Sequence, residues 1–271
     1  MSEKIVLIDG HSILNRAFYG LPDLTNAEGL HTNAIYGFLT IMFKILEEEK
    51  PEYLTVAFDV HAPTFRHEMY DAYKGTRKPM ADELRQQVPV IKEVLGAMGI
   101  KTIEQAGLEA DDLLGTISRR GEERGMEVSV ISGDRDLLQL ATERVKIRIP
   151  KTKQGRTEVE DYYSEDVKNR YQVTPLEFVD LKALMGDTSD NIPGVPSIGE
   201  KTATKIITEY HSIENAYAHV EELKPPRASK ALKEHWDLAV MSKTLATIEV
   251  HADFAYDFEE ARLGNIYTEE A

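Results

Sequence analysis

Three carboxylates lie within four positions of the segment GLEADDLLG at residues 107–115: Glu109, Asp111 and Asp112. The pattern indicates the start of a helix, where acids interact favourably with the helix dipole by about 0.3–1 kcal/mol each. Capping of this kind explains one or two acids, but not three beside a pair of leucines. On a helix Glu109 and Asp112 share a face, about 60° apart, whereas Asp111 is rotated away from both. We therefore expect Asp111 to point toward a different ligand position.

More acids stand at the ends of predicted β-strands. Asp9 ends the run KIVLID, Asp59 ends YLTVAFD, and Asp134 and Asp136 follow EVSVIS after a short turn. Ligand sites of open α/β sheets gather at the carboxyl ends of the strands. A single strand-end Asp is usually a turn former or a helix cap. The whole set, together with the acids of residues 107–115, favours a shared site.

Mutual repulsion makes bound cations necessary at such a site. Two carboxylates about 5 Å apart repel by roughly 3 kcal/mol at an effective dielectric of 20. The chain has no Cys and no HxxxH or HExxH pattern, so hard oxygen ligands favour Mg²⁺ or Mn²⁺ over Zn²⁺. Many acids around two such ions form an arrangement for phosphodiester hydrolysis. A further pair, Asp187 and Asp190 in MGDTSDNIPG, reads as turn residues when taken alone.

Two segments could bind a phosphate chain. Residues 64–78, TFRHEMYDAYKGTRK, interleave basic and aromatic side chains, which suits a single-stranded nucleic acid, although a solvated helix face explains them equally well. Residues 194–206, GVPSIGEKTATKI, resemble a P-loop, but Glu200 stands where that motif requires Lys and no strand precedes it. What remains is a Gly-rich turn opening a helix, whose N–H groups could hold a phosphate near Lys201 and Lys205. A plain helix–turn–helix corner is the alternative.

The elements that position these residues change in kind along the chain. Nearly continuous apolar runs, typical of strands covered on both faces, occupy residues 4–9, 53–59, 127–132 and 145–149. Helical patterns occupy residues 32–46 with Thr32 as N-cap, 82–98, 110–119, 174–186, 200–210 and 228–246. The alternation in the first half predicts an α/β fold with a mostly parallel sheet flanked by helices. From Ser164 onward the pattern is helical.

Bulk composition narrows the class further. The 271 residues fit one large domain or a main domain plus a smaller one, and the absence of Cys excludes disulfides and thiolate metal sites. No signal stretch and no apolar run of roughly 18–20 residues occurs, so we expect a cytoplasmic protein, with a disulfide-free periplasmic one as the alternative. The formal net charge of −15 argues against nonspecific nucleic-acid binding, unless many acids are neutralised at one metal site.

Six segments together resemble the 5′ nuclease family of flap endonucleases, and within it the N-terminal 5′–3′ exonuclease domains of bacterial DNA polymerase I. They are IVLIDGHSILNRAF, VAFD, FRHEMYDAYKGTR, GLEADD, SGDRDLLQL and LMGDTSDNIPGVPSIGEKTA, and the resemblance covers essentially the whole chain. It implies metal ligation, by two or more Mg²⁺ or Mn²⁺ ions, at Asp9, Asp59, Glu109, Asp111, Asp112, Asp134, Asp136, Asp187 and Asp190.

The resemblance also implies how the chain is organised around its substrate. A PIN-like nuclease core would occupy residues 1–170, with a helical arch at about 62–90, and a helical DNA-binding region would occupy 171–271. A helix-two-turn-helix element at about 185–206 would hold the duplex, with K⁺ as a further ion. Lys74 and Arg77 would act at the scissile phosphate, together with the catalytic acids Asp9, Asp59 and Asp134. DNA contacts are implied for Arg16, Arg66, Tyr73, Lys74, Arg77, Gly194, Gly199, Lys201 and Lys205.

The leading hypothesis is a monomeric, structure-specific 5′ nuclease of replication and repair. It would cleave DNA at 5′ flaps and 5′ ends and remove RNA primers from DNA hybrids. The end of the sequence at Ala271 fits a domain excised from a DNA polymerase I, with a stand-alone nuclease as the alternative. Two other functions remain as alternatives: a non-catalytic junction-binding module, which the filled acid set argues against, and a single-stranded ribonuclease, which has no need of a duplex-gripping turn.

Overall fold

A computed structural model describes residues 2–153 and 156–271 of the chain, and its centre is a six-stranded sheet. The strands are β1 (Lys4–Asp9), β2 (Tyr53–Ala57), β3 (Lys101–Ile103), β4 (Glu127–Ile131), β5 (Val145–Lys153) and β6 (Arg156–Tyr162). They lie in the order β3-β2-β1-β4-β5-β6. Strands β1 to β5 pair in parallel and β6 pairs antiparallel with β5. The predicted mostly parallel sheet is confirmed.

Helices flank the sheet and form the C-terminal part of the chain. In the first half they are α1 (Gly10–Gly20), α2 (Asn33–Glu49), α3 (Phe65–Met69), α4 (Asp82–Arg85), α5 (Gln87–Ala97) and α6 (Ala110–Glu123). In the second half they are α7 (Ser164–Tyr171), α8 (Pro175–Met185), α9 (Glu200–Tyr210), α10 (Ile213–Ala218), α11 (Pro226–Glu234) and α12 (Trp236–Ala246). Short 3₁₀ turns cover Arg135–Leu140 and Glu259–Ala261.

The central strands are buried on both faces because they are apolar on both faces. Ile5 and Leu7 of β1 pack in the core cluster that contains α6, whereas Val6 and Ile8 pack in the cluster that contains α2. This alternation follows from the two-residue period of a strand. The parallel pairing of β1 with β2 and β4 brings the carboxyl ends of these three strands to one rim, where α1 begins directly after β1.

Thr32 is the N-cap residue of α2, as the sequence predicts, but its side chain does not cap the helix. The Thr32 hydroxyl donates to the carbonyl of Leu24 at 3.3 Å. Instead the fully buried Gln87 accepts the N–H groups of Ala34 at 2.9 Å and Ile35 at 3.2 Å. These N–H groups have no partner within the helix, so a residue more than fifty positions away completes its first turn.

Two predicted helices are each interrupted once. The helix predicted at 82–98 is divided into α4 and α5 at Gln86, and the helix predicted at 228–246 is divided into α11 and α12 at His235. His235 has φ −123° and ψ 34°, which is outside helical geometry. The segment expected to form an arch, 62–90, contains α3, a run of turns, α4 and the start of α5. Within the described residues, no helix has the length and apolar character needed to cross a membrane.

Candidate active site

Asp9 is a buried acid at the carboxyl rim of the sheet. It ends β1 and caps α1, accepting the N–H of Ser12 at 3.0 Å and the hydroxyl of Ser132 at 2.8 Å. Only 5% of the surface of Asp9 is exposed to solvent. Burial, opposed by these hydrogen bonds and reinforced by the negative charges of Asp59 and Asp134, raises the pKa of Asp9 to about 7. Burial and the neighbouring acids therefore favour the neutral, protonated form of Asp9 over the charged carboxylate.

Asp59 and Asp134 approach the same rim from β2 and β4, the strands on either side of β1. Asp59 accepts the N–H of Ala110 at 2.8 Å, which joins the end of β2 to the first turn of α6. Asp134 caps the 3₁₀ turn by accepting the N–H of Asp136 at 2.8 Å. The sequence prediction that strand ends bring these acids together agrees with the charge effect that Asp59 and Asp134 exert on Asp9.

The three acids at the start of α6 have three different environments. Glu109 is the N-cap residue, and its backbone N–H donates to Asp112 at 3.1 Å in a capping box. Asp112 is fully buried and faces Arg66. Asp111 lies on the other side: burial and repulsion from Asp9 and Asp134 raise its pKa well above the usual range. The rotation expected from the helical wheel is present in the structure.

Lys74, Tyr73 and the acids around them form a connected network on the turns after α3. The Lys74 ammonium lies 2.8 Å from Glu109 Oε1 and 4.0 Å from Asp190 Oδ2. Burial favours a lower pKa for Lys74, but the charges of Glu109 and Asp190 outweigh burial and raise it. Lys74 is held at a φ of 54° while its backbone N–H donates to the Asp190 carbonyl at 2.8 Å. Arg77 pairs with Asp190 and remains 47% exposed.

Two residues expected to contact DNA are buried instead. The Arg66 residue is 2% exposed, and its guanidinium donates to Asp112, to Glu109 and to two backbone carbonyls. Tyr73 is 3% exposed and its hydroxyl donates to Glu109 at 3.2 Å and Asp190 at 3.3 Å. Neither can reach a nucleic acid without leaving these partners. The interleaved basic and aromatic pattern marked the right segment but did not separate its buried positions from its exposed ones.

Lys182 of α8 joins two acids that sequence reasoning assigned to metal. Its ammonium lies 2.7 Å from Asp136 Oδ1 and also contacts Asp187. Burial and repulsion from Asp134 raise the pKa of Asp136 to about 7, even though Lys182 acts in the opposite direction. The sequence reasoning missed Lys182. The signal in the sequence was a lysine about one turn before Gly186, within the largely apolar run LKALM.

An open cleft of about 570 Å³ lies beside the acids. Ser12 from α1, Asp134 from the 3₁₀ turn, Arg77 from the turns after α3 and Thr188 from the loop after α8 all line it. The cleft therefore brings together an acid, a cation and the loop that carries Asp187. A phosphate entering it would meet both charge types.

The acids at the rim suit a hard cation that keeps part of its water shell better than one held entirely by protein ligands. Among residues 2–153 and 156–271, no three His, Asp or Glu side chains converge in an arrangement that could hold one metal ion directly. Yet Asp9 and Asp111 have raised pKa values, partly because of nearby negative charge. Mg²⁺ keeps several waters and takes only one or two carboxylates. The residues fit such an ion by their oxygen chemistry, charge and partial exposure.

The Gly-rich turn before α9 has two distinct parts. Gly194 has φ 63°, and a Cβ placed there would lie 2.3 Å from the Gly186 nitrogen. Its N–H donates to Ser242 at 3.0 Å, so Gly194 serves close packing and that N–H does not face a phosphate. Gly199 is the N-cap of α9 with open space around it, and Lys201 and Lys205 on α9 are exposed. Phosphate binding by the second part of the turn, at the N-terminus of α9, stays a prediction.

Arg16, the remaining residue expected to touch DNA, lies on α1. It is two turns beyond Asp9 and partly buried. Burial lowers the pKa of its guanidinium, which remains a cation at neutral pH because an arginine starts from a very high value.

A PIN-like α/β core with an acidic rim, followed by a helical region, defines the class of the protein. Residues 4–172 match the family model described as "5'-3' exonuclease, N-terminal resolvase-like domain". Residues 173–269 match the model described as "5'-3' exonuclease, C-terminal SAM fold". The chain therefore belongs to the 5′–3′ exonuclease family.

Two curated bacterial proteins that are similar in sequence agree with this family assignment. DNA polymerase I of Bacillus caldotenax is 48% identical over 267 residues, and DNA polymerase I of Bacillus subtilis (strain 168) is 47% identical over 250 residues. The alignments cover 96% and 92% of this chain but only 30% and 28% of those proteins. The chain thus spans less than a third of the length of these curated relatives.

Solved structures share the fold at low sequence identity. A structure of T5 5′-exonuclease with bound divalent metal ions (zinc) has a TM-score of 0.73 and 22% identity, covering 92% of this chain and 91% of that one. A catalytic core of Rad2 in complex with DNA substrate has a TM-score of 0.56 and 16% identity, covering 96% of this chain and 84% of that one. At these identities the likeness concerns the fold alone.

Proposed function

We propose that the chain hydrolyses phosphodiester bonds of DNA at 5′ flaps and 5′ ends with the help of Mg²⁺ or Mn²⁺. The observation that carries this proposal is the carboxylate rim beside a cleft lined by Arg77. Asp9 and Asp111 have raised pKa values there, so a cation would relieve repulsion that the folded protein otherwise tolerates. The relatives named DNA polymerase I and the T5 5′-exonuclease structure with metal ions support the same reading.

We propose that seven acids hold the ions. Asp9, Asp59, Asp111 and Asp134 would bind one ion or its waters, and Asp136, Asp187 and Asp190 a second. When bound, the ions supply a nucleophilic water and stabilise charge on the attacked phosphate and the leaving oxygen. Lys182 contacts Asp136 and Asp187, and we propose that its charge helps to hold these two acids in place at the second site.

Lys74 and Arg77 are proposed to orient the scissile phosphate. Each contacts an acid of the rim, and each lies on the turns that follow α3, within the segment 62–90. Fixed cations aimed at developing negative charge stabilise a transition state without reorganising during the reaction. A phosphate entering the cleft would take over part of their pairing with Glu109 and Asp190.

The remaining proposals concern the substrate and its setting. We propose that residues 1–170 form the nuclease unit and 171–271 the duplex-binding unit. In the latter, the N-terminus of α9 with Lys201 and Lys205 would hold the duplex backbone, with K⁺ nearby. RNA-primer–DNA hybrids would also be cleaved, by a monomeric domain that in its parent chain precedes a polymerase. We place this activity in the bacterial cytoplasm, where chromosomal DNA lies.

The test is cleavage of a 5′-labelled flap DNA in Mg²⁺ by the wild type and by Asp134→Ala. Asp237→Ala, an exposed acid on α12, serves as the matched control. We expect a flap product from the wild type and the control, and none in EDTA or with Asp134→Ala. Equal cutting under all conditions would refute the metal mechanism. Cleavage of RNA hairpins and single strands in preference to flaps would favour a ribonuclease instead.

A further inference from the structure

Arg66 and Asp112 form a buried ion pair that has no assigned role in the proposed reaction. The two residues are 2% and 0% exposed. Nη1 of Arg66 lies 2.8 Å from Asp112 Oδ2, and Nη2 lies 2.8 Å from Oδ1, which is a bidentate contact. This geometry fixes both planar groups relative to each other. It joins α3 to the first turn of α6.

Asp112 has no free oxygen left for a metal ion. Besides Arg66, Oδ1 accepts the N–H of Glu249 at 2.9 Å and Oδ2 accepts the N–H of Glu109 at 3.1 Å. A carboxylate offers about four lone-pair sites, and all are occupied by donors from three parts of the chain. Asp111, one position earlier, faces the repelling charges of Asp9 and Asp134.

Arg66 is equally saturated. Nε donates to the Leu245 carbonyl at 3.0 Å, Nη2 to the Thr247 carbonyl at 2.6 Å and Nη1 to Glu109 Oε2 at 3.4 Å. With the two bonds to Asp112, the five N–H groups of a guanidinium are used. The pair therefore ties α3 and α6 to the end of α12 and to the residues that follow it.

We propose that Asp112 and Arg66 act together as positioning residues, and that Asp112 is not a metal ligand. The pair holds Glu109 at the N-cap of α6, where its carboxylate meets Lys74 and Tyr73. A buried ion pair adds little net stability compared with apolar residues of similar size. Its directional bonds instead set the register of three segments around the rim.

The test measures Mn²⁺ binding by electron paramagnetic resonance on three variants. Asp111→Asn should weaken binding by more than about tenfold, which corresponds to about 1.4 kcal/mol. Asp112→Asn should bind the same number of ions as the wild type, with an affinity within about threefold. The double variant Arg66→Met with Asp112→Leu removes both charges and leaves neither orphaned, so it gives the same comparison if the single variant fails to fold. Loss of Mn²⁺ by either Asp112 variant to the extent of Asp111→Asn would overturn the proposal.

A second readout separates positioning from general stability, and it rests on the proposed nuclease function. On flap DNA, the double variant should lower kcat while the Mg²⁺ concentration at half-maximal rate stays unchanged. Adding Glu109→Gln should then cost less than it costs in the wild type, because Glu109 is already misplaced. Fully additive effects would contradict the positioning role. Failure of the wild type to cut flap DNA would refute the proposed function but would leave the Mn²⁺ comparison decisive.

Discussion

Asp9 provides a quantitative test of the electrostatic repulsion at the rim, through the variant Asp9→Asn. Burial and neighbouring acids raise the pKa of Asp9 from 3.8 to about 7. The folded state therefore holds this proton more tightly than the unfolded chain does, so stability falls as pH rises from about 4 to about 7. Three pKa units correspond to about 4 kcal/mol of lost stability above pH 7.

Asn at position 9 removes this penalty and keeps most of the local geometry. The amide oxygen can still accept the Ser12 N–H, and the Ser132 hydroxyl can rotate to accept from the amide. Losing the charged character of two hydrogen bonds costs about 1–2 kcal/mol. We expect a net gain of about 2–3 kcal/mol at pH 8 in EDTA, with about 2–4 °C of melting temperature for each kcal/mol.

The assay is thermal unfolding of the wild type and Asp9→Asn in EDTA at pH 5 and pH 8. The gain should be large at pH 8 and small at pH 5, where Asp9 is already protonated. Mg²⁺ should stabilise the wild type more than the variant, because binding to the native state alone adds to stability. Asp253→Asn, an exposed acid, is the control and should show no such difference. An equal gain at both pH values, or none at pH 8, would refute the reasoning.

Two further variants test the cation and the tight turn near the site. Lys74→Met removes the ammonium 2.8 Å from Glu109 Oε1 and should lower kcat on flap DNA by about 10²–10³, whereas Lys78→Met, at an exposed site, should leave the rate nearly unchanged; equal losses would contradict a specific role. Gly194→Ala places a Cβ 2.3 Å from a backbone nitrogen at positive φ and should lower the free energy of unfolding in urea by about 1–3 kcal/mol. Gly199→Ala, with open space around it, should cost well under that, and similar losses at both glycines would contradict the packing argument.

The central strands could be predicted from sequence, whereas the outer ones could not. β1, β2, β4 and β5 begin where continuous apolar runs begin. β3 has only three residues, each half-buried, which is too short for any periodicity to appear. β6 reads RTEVEDY and is an antiparallel edge strand, where charged residues are favoured because they discourage further pairing. Its polarity made it resemble a loop.

Contacts between distant segments account for most of what sequence reasoning missed at the site. The interleaved basic and aromatic residues of 64–78 suggested nucleic-acid binding but gave no sign that Arg66 would be buried against residues 245–249. Gln87 likewise reads as a polar position on a helix, yet it completes the first turn of α2. Both side chains satisfy backbone groups that local patterns cannot assign, since their partners lie 53 and 179 positions away.

The three acids of GLEADDLLG show why crowding in the sequence need not mean crowding at one ligand. Successive residues on a helix differ by about 100° in direction, so neighbouring acids can face different partners. Asp112 faces Arg66, Glu109 faces Lys74 and Tyr73, and Asp111 faces the rim. Asp112 and Glu109 pair with Arg66 and Lys74, whereas Asp111 is repelled by Asp9, Asp134 and Glu109. Asp111 is thus the acid whose removal should most affect metal binding, and the Mn²⁺ measurements test this order of effects.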